Sequence, residues 1–87
     1  MKSLFTPEYN TFRQCMIAAR KQADLTQANL AKAMEKPQSF VAKYENGERR
    51  LDVIEFLVIT HIIGIDPCEI LREVQKSFNS TSCEEQT

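Results

Sequence analysis

Two glycines, three prolines, one histidine and no tryptophan among 87 residues exclude several kinds of protein at once. So little Gly and Pro leaves no candidate for a long linker, and a chain this short makes one small domain. The three cysteines, Cys15, Cys68 and Cys83, are odd in number and form no C-x-x-C pair. That pattern argues against a disulfide framework or a zinc site and for a reducing compartment. A single His, no Ser/His/Asp or Cys/His constellation, no glycine-rich phosphate loop and no metal-ligand spacing argue against an enzyme, and no cofactor is implied. No apolar run approaches the length that spans a bilayer, and the first residues lack the apolar segment of a signal peptide. The expectation is a cytoplasmic protein without a membrane partner. No stretch alternates apolar and polar residues with β-branched enrichment, so no strand is expected.

What is present is charge, unevenly divided. Residues 13–50 carry eight Lys/Arg against four Asp/Glu, whereas residues 51–87 carry two against seven. A basic first part and an acidic second part suit a protein with one anion-facing side, although a short chain can be uneven by chance. Helix starts are equally clear. Leu25-Thr26-Gln27-Ala28-Asn29-Leu30, Leu51-Asp52-Val53-Ile54-Glu55-Phe56 and Ile65-Asp66-Pro67-Cys68-Glu69-Ile70 each pair a capping residue with apolar partners before it and four after it, and Glu55 completes a box. Phe5-Thr6-Pro7-Glu8 is a weaker fourth start. The spacing predicts an all-α, compact five-helix bundle with helices near 7–22, 26–34, 38–46, 52–63 and 66–77. The domain then spans 1–78, and the polar residues 79–87 form a disordered tail.

Helix one sends Phe12, Met16, Ala19 and Ala23 inward, and helix two offers Leu30, Ala31 and Met34, with Ala28 and Ala31 permitting close approach of a neighbour. The segment 38–46 is too short to be stable alone. Val41, Tyr44 and Glu45 share its inner side, Ser39, Ala42 and Lys43 its outer side, and Gln38 points off the open first turn. Pro37 suits the first helical position and Gly47 a left-handed end. Phe40, on the border, is either a packing residue or a base contact. Helix four carries two apolar stripes. Val53, Phe56, Ile59, Thr60 and Ile63 make one, and Ile54, Val58 and Ile62 make the other. In so small a domain the second stripe predicts a partner, most simply a second copy, unless helix five or the N-terminal segment covers it. His61 has no metal partner in sight and reads as a surface or interface residue.

Leu25-Thr26-Gln27-x-x-Leu30-Ala31-x-x-Met34, then Gln38-Ser39-x-Val41-x-x-Tyr44-Glu45-Asn46-Gly47-x-Arg49-Arg50, then Leu57-x-Ile59-x-x-x-Ile63-Gly64-Ile65-Asp66 together resemble the Cro/repressor-type (XRE-like) helix-turn-helix domain. The resemblance runs from about Arg13 to Leu71. It implies a bundle of the phage-repressor type that places helix three in the major groove of double-stranded DNA, in a homodimeric transcriptional regulator. Gln38, Ser39 and Lys43 match the base-reading positions. Gln27 matches a position that touches phosphate and braces helix three, Asn46, Arg49 and Arg50 match the loop that meets phosphates, and Arg20 and Glu45 match a partly buried ion pair.

The side-chain chemistry points the same way. Gln pairs bidentately with adenine, Lys donates to guanine, and the Ala42 methyl suits thymine. Lys36, Lys43, Arg49 and Arg50 would neutralise phosphates, and the helix N-termini at Gln27 and Gln38 offer N–H groups to phosphate oxygens. Glu35 stands where the family commonly has Gly. Either it adopts a left-handed conformation, at a cost of about 1–2 kcal/mol, or the turn runs differently. The rival functional reading is an antitoxin-like or adaptor module whose main ligand is another protein, motivated by the second stripe of helix four and the acidic tail.

Overall fold

The computed structural model describes the backbone of residues 6–86 and the side chains of residues 6–78. It is all-helical in the order α1 (Pro7–Gln22), α2 (Gln27–Met34), α3 (Gln38–Glu45), α4 (Val53–Ile63) and α5 (Pro67–Gln86). The first four helices lie within a residue of their expected ends. α5 does not stop near 77: it runs to Gln86 and takes in most of the polar tail. Once a helix is nucleated and docked, propagation through polar residues costs little. Phe5, Cys83 and the other side chains of the tail lie outside the described residues. No helix among the described residues is long and apolar enough to cross a membrane.

The caps explain why the chain breaks where it does. Thr26 Oγ1 accepts from the Asn29 N–H at 3.0 Å, and Asn29 Oδ1 accepts from the Thr26 N–H at 3.3 Å, a reciprocal box at the head of α2. Asp52 and Glu55 repeat it at α4, at 2.7 and 2.9 Å. Thr6 Oγ1 caps α1 through the Tyr9 N–H at 3.1 Å. Pro37 is the N-cap of α3 rather than its first helical residue, and it supplies no side-chain cap.

One device also ends α1, α2, α3 and α4. Asp24, Glu35, Gly47 and Gly64 are left-handed, at φ 61°, 60°, 83° and 86°. After each, the next N–H reaches back to a carbonyl five residues earlier: Leu25 to Arg20 (3.2 Å), Lys36 to Ala31 (2.9 Å), Glu48 to Lys43 (2.8 Å) and Ile65 to Thr60 (3.1 Å). This is the left-handed helix end that satisfies orphan carbonyls and turns the chain sharply. Glu35 therefore takes the first of its two options, and the turn into α3 keeps the helix-turn-helix path at some conformational cost.

Met16, Ala19, Leu30, Ala31, Val41, Tyr44, Phe56, Ile59 and Ile70 form the buried core. α1 packs chiefly on α5 and α2 chiefly on α3, while α4 leans on both α2 and α5. An aromatic run, Tyr9–Phe12–Phe56, with ring centroids 5.4 Å apart at each step, ties α1 to α4. The Leu51 N–H donates to the Tyr9 hydroxyl at 3.2 Å, anchoring the loop before α4.

Three expected placements need correction. Ala28 is exposed, so only Ala31 serves the close approach of a neighbour. Val53 leaves the inner stripe of α4, and Ile62 leaves the outer one to pack partly buried against the core. Phe56, Ile59 and Thr60 hold the buried arc of α4. By helical angle Val53 lies within about 20° of Thr60, so its exposure follows from its place as the first residue of the helix and not from its side, while Ile62, in the last turn, packs against the core.

Candidate nucleic-acid interface

Val41, Tyr44 and Glu45 are the buried residues of α3, and Gln38, Ser39 and Lys43 are exposed on its outer side. A short helix is being gripped from behind and offered outward. The grip has a polar centre. Arg20 Nε donates to Glu45 Oε2 at 2.7 Å and Arg20 Nη2 to Glu45 Oε1 at 3.0 Å, a bidentate pair with both residues buried. Arg20 Nη1 also donates to the Leu25 carbonyl at 2.7 Å, so one guanidinium joins α1, the α1–α2 turn and α3. Hydrogen bonding to Glu45 raises the Arg20 pKa above its ordinary value. Buried charges survive only when paired in this way.

The network continues to the surface. Gln27 Nε2 donates to Glu45 Oε1 at 2.9 Å. An ionised carboxylate only accepts, so it fixes which end of the Gln27 amide faces it. Gln27 Oε1 is left pointing outward, and the Gln38 Nε2 amide donates to it at 3.5 Å, a long bond. Gln38 in turn keeps its carbonyl oxygen and a second amide hydrogen for a ligand. Those are the acceptor and donor that a bidentate match to adenine requires. Electrostatic order thus passes from a buried ion pair, through one amide, to the first exposed residue of α3.

The remaining expected residues lie around this edge in different states. Lys43 is exposed one turn beyond Ser39. Asn46 is the exposed C-cap of α3. Lys36 Nζ sits 5.3 Å from the Phe40 ring centroid, and the Arg50 guanidinium sits 4.6 Å from that of Tyr9. Arg49 is committed to its own chain. Its two terminal nitrogens donate to the two Glu55 carboxylate oxygens, each at 2.9 Å, and its guanidinium lies 4.6 Å from the Phe40 ring centroid. That pairing holds the Glu55 carboxyl below its ordinary pKa. Phe40 also meets Tyr44 edge-on at 5.9 Å, so its packing option is realised.

Two further groups escaped the sequence reading. Arg13 donates through Nη1 to the Glu45 carbonyl and through Nη2 to Asn10 Oδ1, closing the network from below. No local pattern announces its bond to Glu45, which is 32 residues away. The Tyr44 hydroxyl is buried without a hydrogen-bond partner among the described residues, and burial raises its pKa.

On α4 the outer face is apolar. Val53 is 69% exposed, Ile54 67%, Leu57 43% and Val58 41%, with exposed His61 in the same arc. The sequence puts Val53 on the inner stripe and Leu57 on neither, yet both are exposed together with Ile54 and Val58. Among the described residues no three His, Cys, Asp or Glu side chains gather as metal ligands.

Comparison with known proteins agrees with this geometry. A family model described as helix-turn-helix matches residues 16–70. No curated protein sequence matches. Among solved structures, an XRE-family like protein from Pseudomonas syringae pv. tomato str. DC3000 superposes with a TM-score of 0.75 at 43% identity, over 80% of this chain and 85% of that one. The clp gene regulator ClgR from Corynebacterium glutamicum superposes with a TM-score of 0.73 at 16% identity, over 84% and 95%, and supports the fold alone. With the paired helices α2 and α3, the buried Arg20–Glu45 brace and these matches in place, the chain belongs to the XRE family of helix-turn-helix proteins.

Proposed function

We propose that this protein is a sequence-specific, double-stranded-DNA-binding transcriptional regulator that acts as a homodimer in the cytoplasm, with α3 in the major groove. The observation that carries the reading is the relay from Arg20–Glu45 through Gln27 to Gln38. It preorganises an amide at the exposed head of a helix whose outer face is otherwise small and polar. Gln38, Ser39 and Lys43 read bases, and Gln27, Lys36, Asn46 and Arg50 lie where phosphates would pass. The role is binding rather than catalysis and calls for no cofactor.

The dimer reading rests on α4. Its four exposed large apolar side chains form a face that a second copy would cover symmetrically, placing two α3 helices for half-sites about 34 Å apart. The same face would also suit a protein ligand of the antitoxin or adaptor kind. Light scattering separates the two, since a strict monomer at micromolar concentration favours the second.

Selection from a random-site duplex library, followed by anisotropy titration, tests the main reading. The expected result is an enriched inverted repeat whose affinity falls steeply with salt. Within it, Lys43→Ala should lose about 1–3 kcal/mol at one base position. Equal loss on every sequence would reassign Lys43 to the phosphates, and a library with no enrichment would overturn the proposal.

A further inference from the structure

Arg49 matches a phosphate-contacting position in the sequence, yet its surroundings are those of a structural joint. One side of its guanidinium meets Phe40 of α3 at 4.6 Å. Its terminal nitrogens meet both carboxylate oxygens of Glu55 at 2.9 Å, and Nη1 also donates to the Arg50 carbonyl at 2.9 Å. Neither anchor is loose. Phe40 is edge-packed on the buried Tyr44 ring. Glu55 is held by the reciprocal box with Asp52 at the head of α4. A charge satisfied by a bidentate carboxylate has little left to offer a phosphate, and only a planar guanidinium can stack on a ring while making that fork.

We infer that Arg49 is a positioning residue rather than a phosphate contact: through Phe40 on one side and Glu55 on the other, it locks the recognition helix to α4. This rests on the reading of the protein as a DNA-binding dimer joined through α4. In that assembly the angle between α3 and α4 sets whether both recognition helices reach their half-sites together. A slack joint therefore costs discrimination between sequences before it costs attraction to DNA. Lys36, whose charge also helps to lower the Glu55 pKa, sits over the same Phe40 ring but makes no hydrogen bond to α4 among the described residues.

The test uses the full chain. Wild type, Arg49→Lys, Arg49→Gln and Glu55→Gln are titrated against the duplex enriched by selection and a scrambled duplex, at several salt concentrations. Circular dichroism fixes a temperature at which each variant is folded. The expected result is that Arg49→Lys and Arg49→Gln both lower the ratio of selected to scrambled affinity, by about tenfold. Their affinity for the scrambled duplex and its salt slope should stay at the wild-type values. Glu55→Gln should lower the ratio similarly and steepen the salt slope by up to about 0.9 per protomer, because it releases the Arg49 charge. A purely structural role would move the melting temperature and leave the ratio of the folded protein unchanged. That outcome overturns the inference. So does a wild-type ratio in Arg49→Lys with a salt slope flattened by about 0.9 per protomer in Arg49→Gln, which would make Arg49 a phosphate contact while leaving the DNA reading intact. A wild type that enriches no site defeats both readings together.

Discussion

α3 and α4 each turn one face to solvent, and the two faces could hardly differ more. That of α3 is an amide, a hydroxyl and an ammonium on Gln38, Ser39 and Lys43; that of α4 is Val53, Ile54, Leu57 and Val58. Groups of the first kind are well hydrated, so exposing them costs nothing, and only correct geometry gives them a use. Groups of the second kind are costly in water wherever they point, so any matching apolar surface relieves them. The first face therefore needs a rigid support behind it, and Arg20, Glu45, Gln27 and Arg13 provide one. The second needs only an alignment of side chains along one helix. On the proposed reading, α3 supplies selectivity and α4 adhesion.

Breaking the support should have the largest effect. Arg20→Ala leaves Glu45 buried without its cation and should cost about 3–5 kcal/mol in urea unfolding. Replacing both partners, Arg20→Met with Glu45→Leu, should recover much of that stability. It should not recover sequence discrimination, because Gln27 then has no carboxylate to orient it.

On the other face, Ile54→Asp should leave urea stability of the monomer nearly unchanged, since the side chain is already exposed. It should weaken self-association by about 2–3 kcal/mol per protomer, the value of burying one such side chain. Light scattering across a dilution series reads this directly. A dimer unaffected by Ile54→Asp would move the interface off α4.

A smaller change sharpens the contrast. Gln27→Ala removes the amide between Glu45 and Gln38 without touching the ion pair, so the fold should lose only about 1 kcal/mol. Binding to an adenine-containing site should fall more than binding to scrambled DNA, and equal losses would confine Gln27 to a phosphate role.

The smallest effect is expected at the turn between α2 and α3. Glu35 occupies φ 60°, ψ 41°, which Gly adopts without strain. Glu35→Gly should raise stability by about 0.5–1 kcal/mol, the relief of strain less the entropy that Gly adds to the unfolded chain. A loss of stability on thermal melting would show that the turn is not strained.

Much of this was legible before any coordinates. The box at Asp52 involves residues three apart, so its partners stand together in the sequence. The inner side of α3 follows from helical angle alone, and Val41, Tyr44 and Glu45 are all buried. Arg20 with Glu45 came from the likeness to a family, not from spacing, since 25 residues separate them. The failures share one cause. Apolar content along α4 showed that it had more greasy surface than one face could bury, but not which residues the neighbouring helices leave uncovered: Val53 and Leu57 are exposed and Ile62 is partly buried. Arg49 and Glu55 stand six apart across a loop, where no helical rule applies.

By itself, then, the sequence determined what local chemistry controls: where helices begin, that Gly47 ends one in a left-handed turn, and which side of a short helix is polar. Those outcomes depend on dihedral preference and on hydrogen bonds spanning three to five residues. Tertiary structure alone decided which charges are spent internally and which are offered. Arg20 and Arg49 have as much charge as Lys43, but the fold brings a carboxylate to each of the first two. Whether a cation faces its own chain or a ligand depends on what folding places within about 3 Å of it.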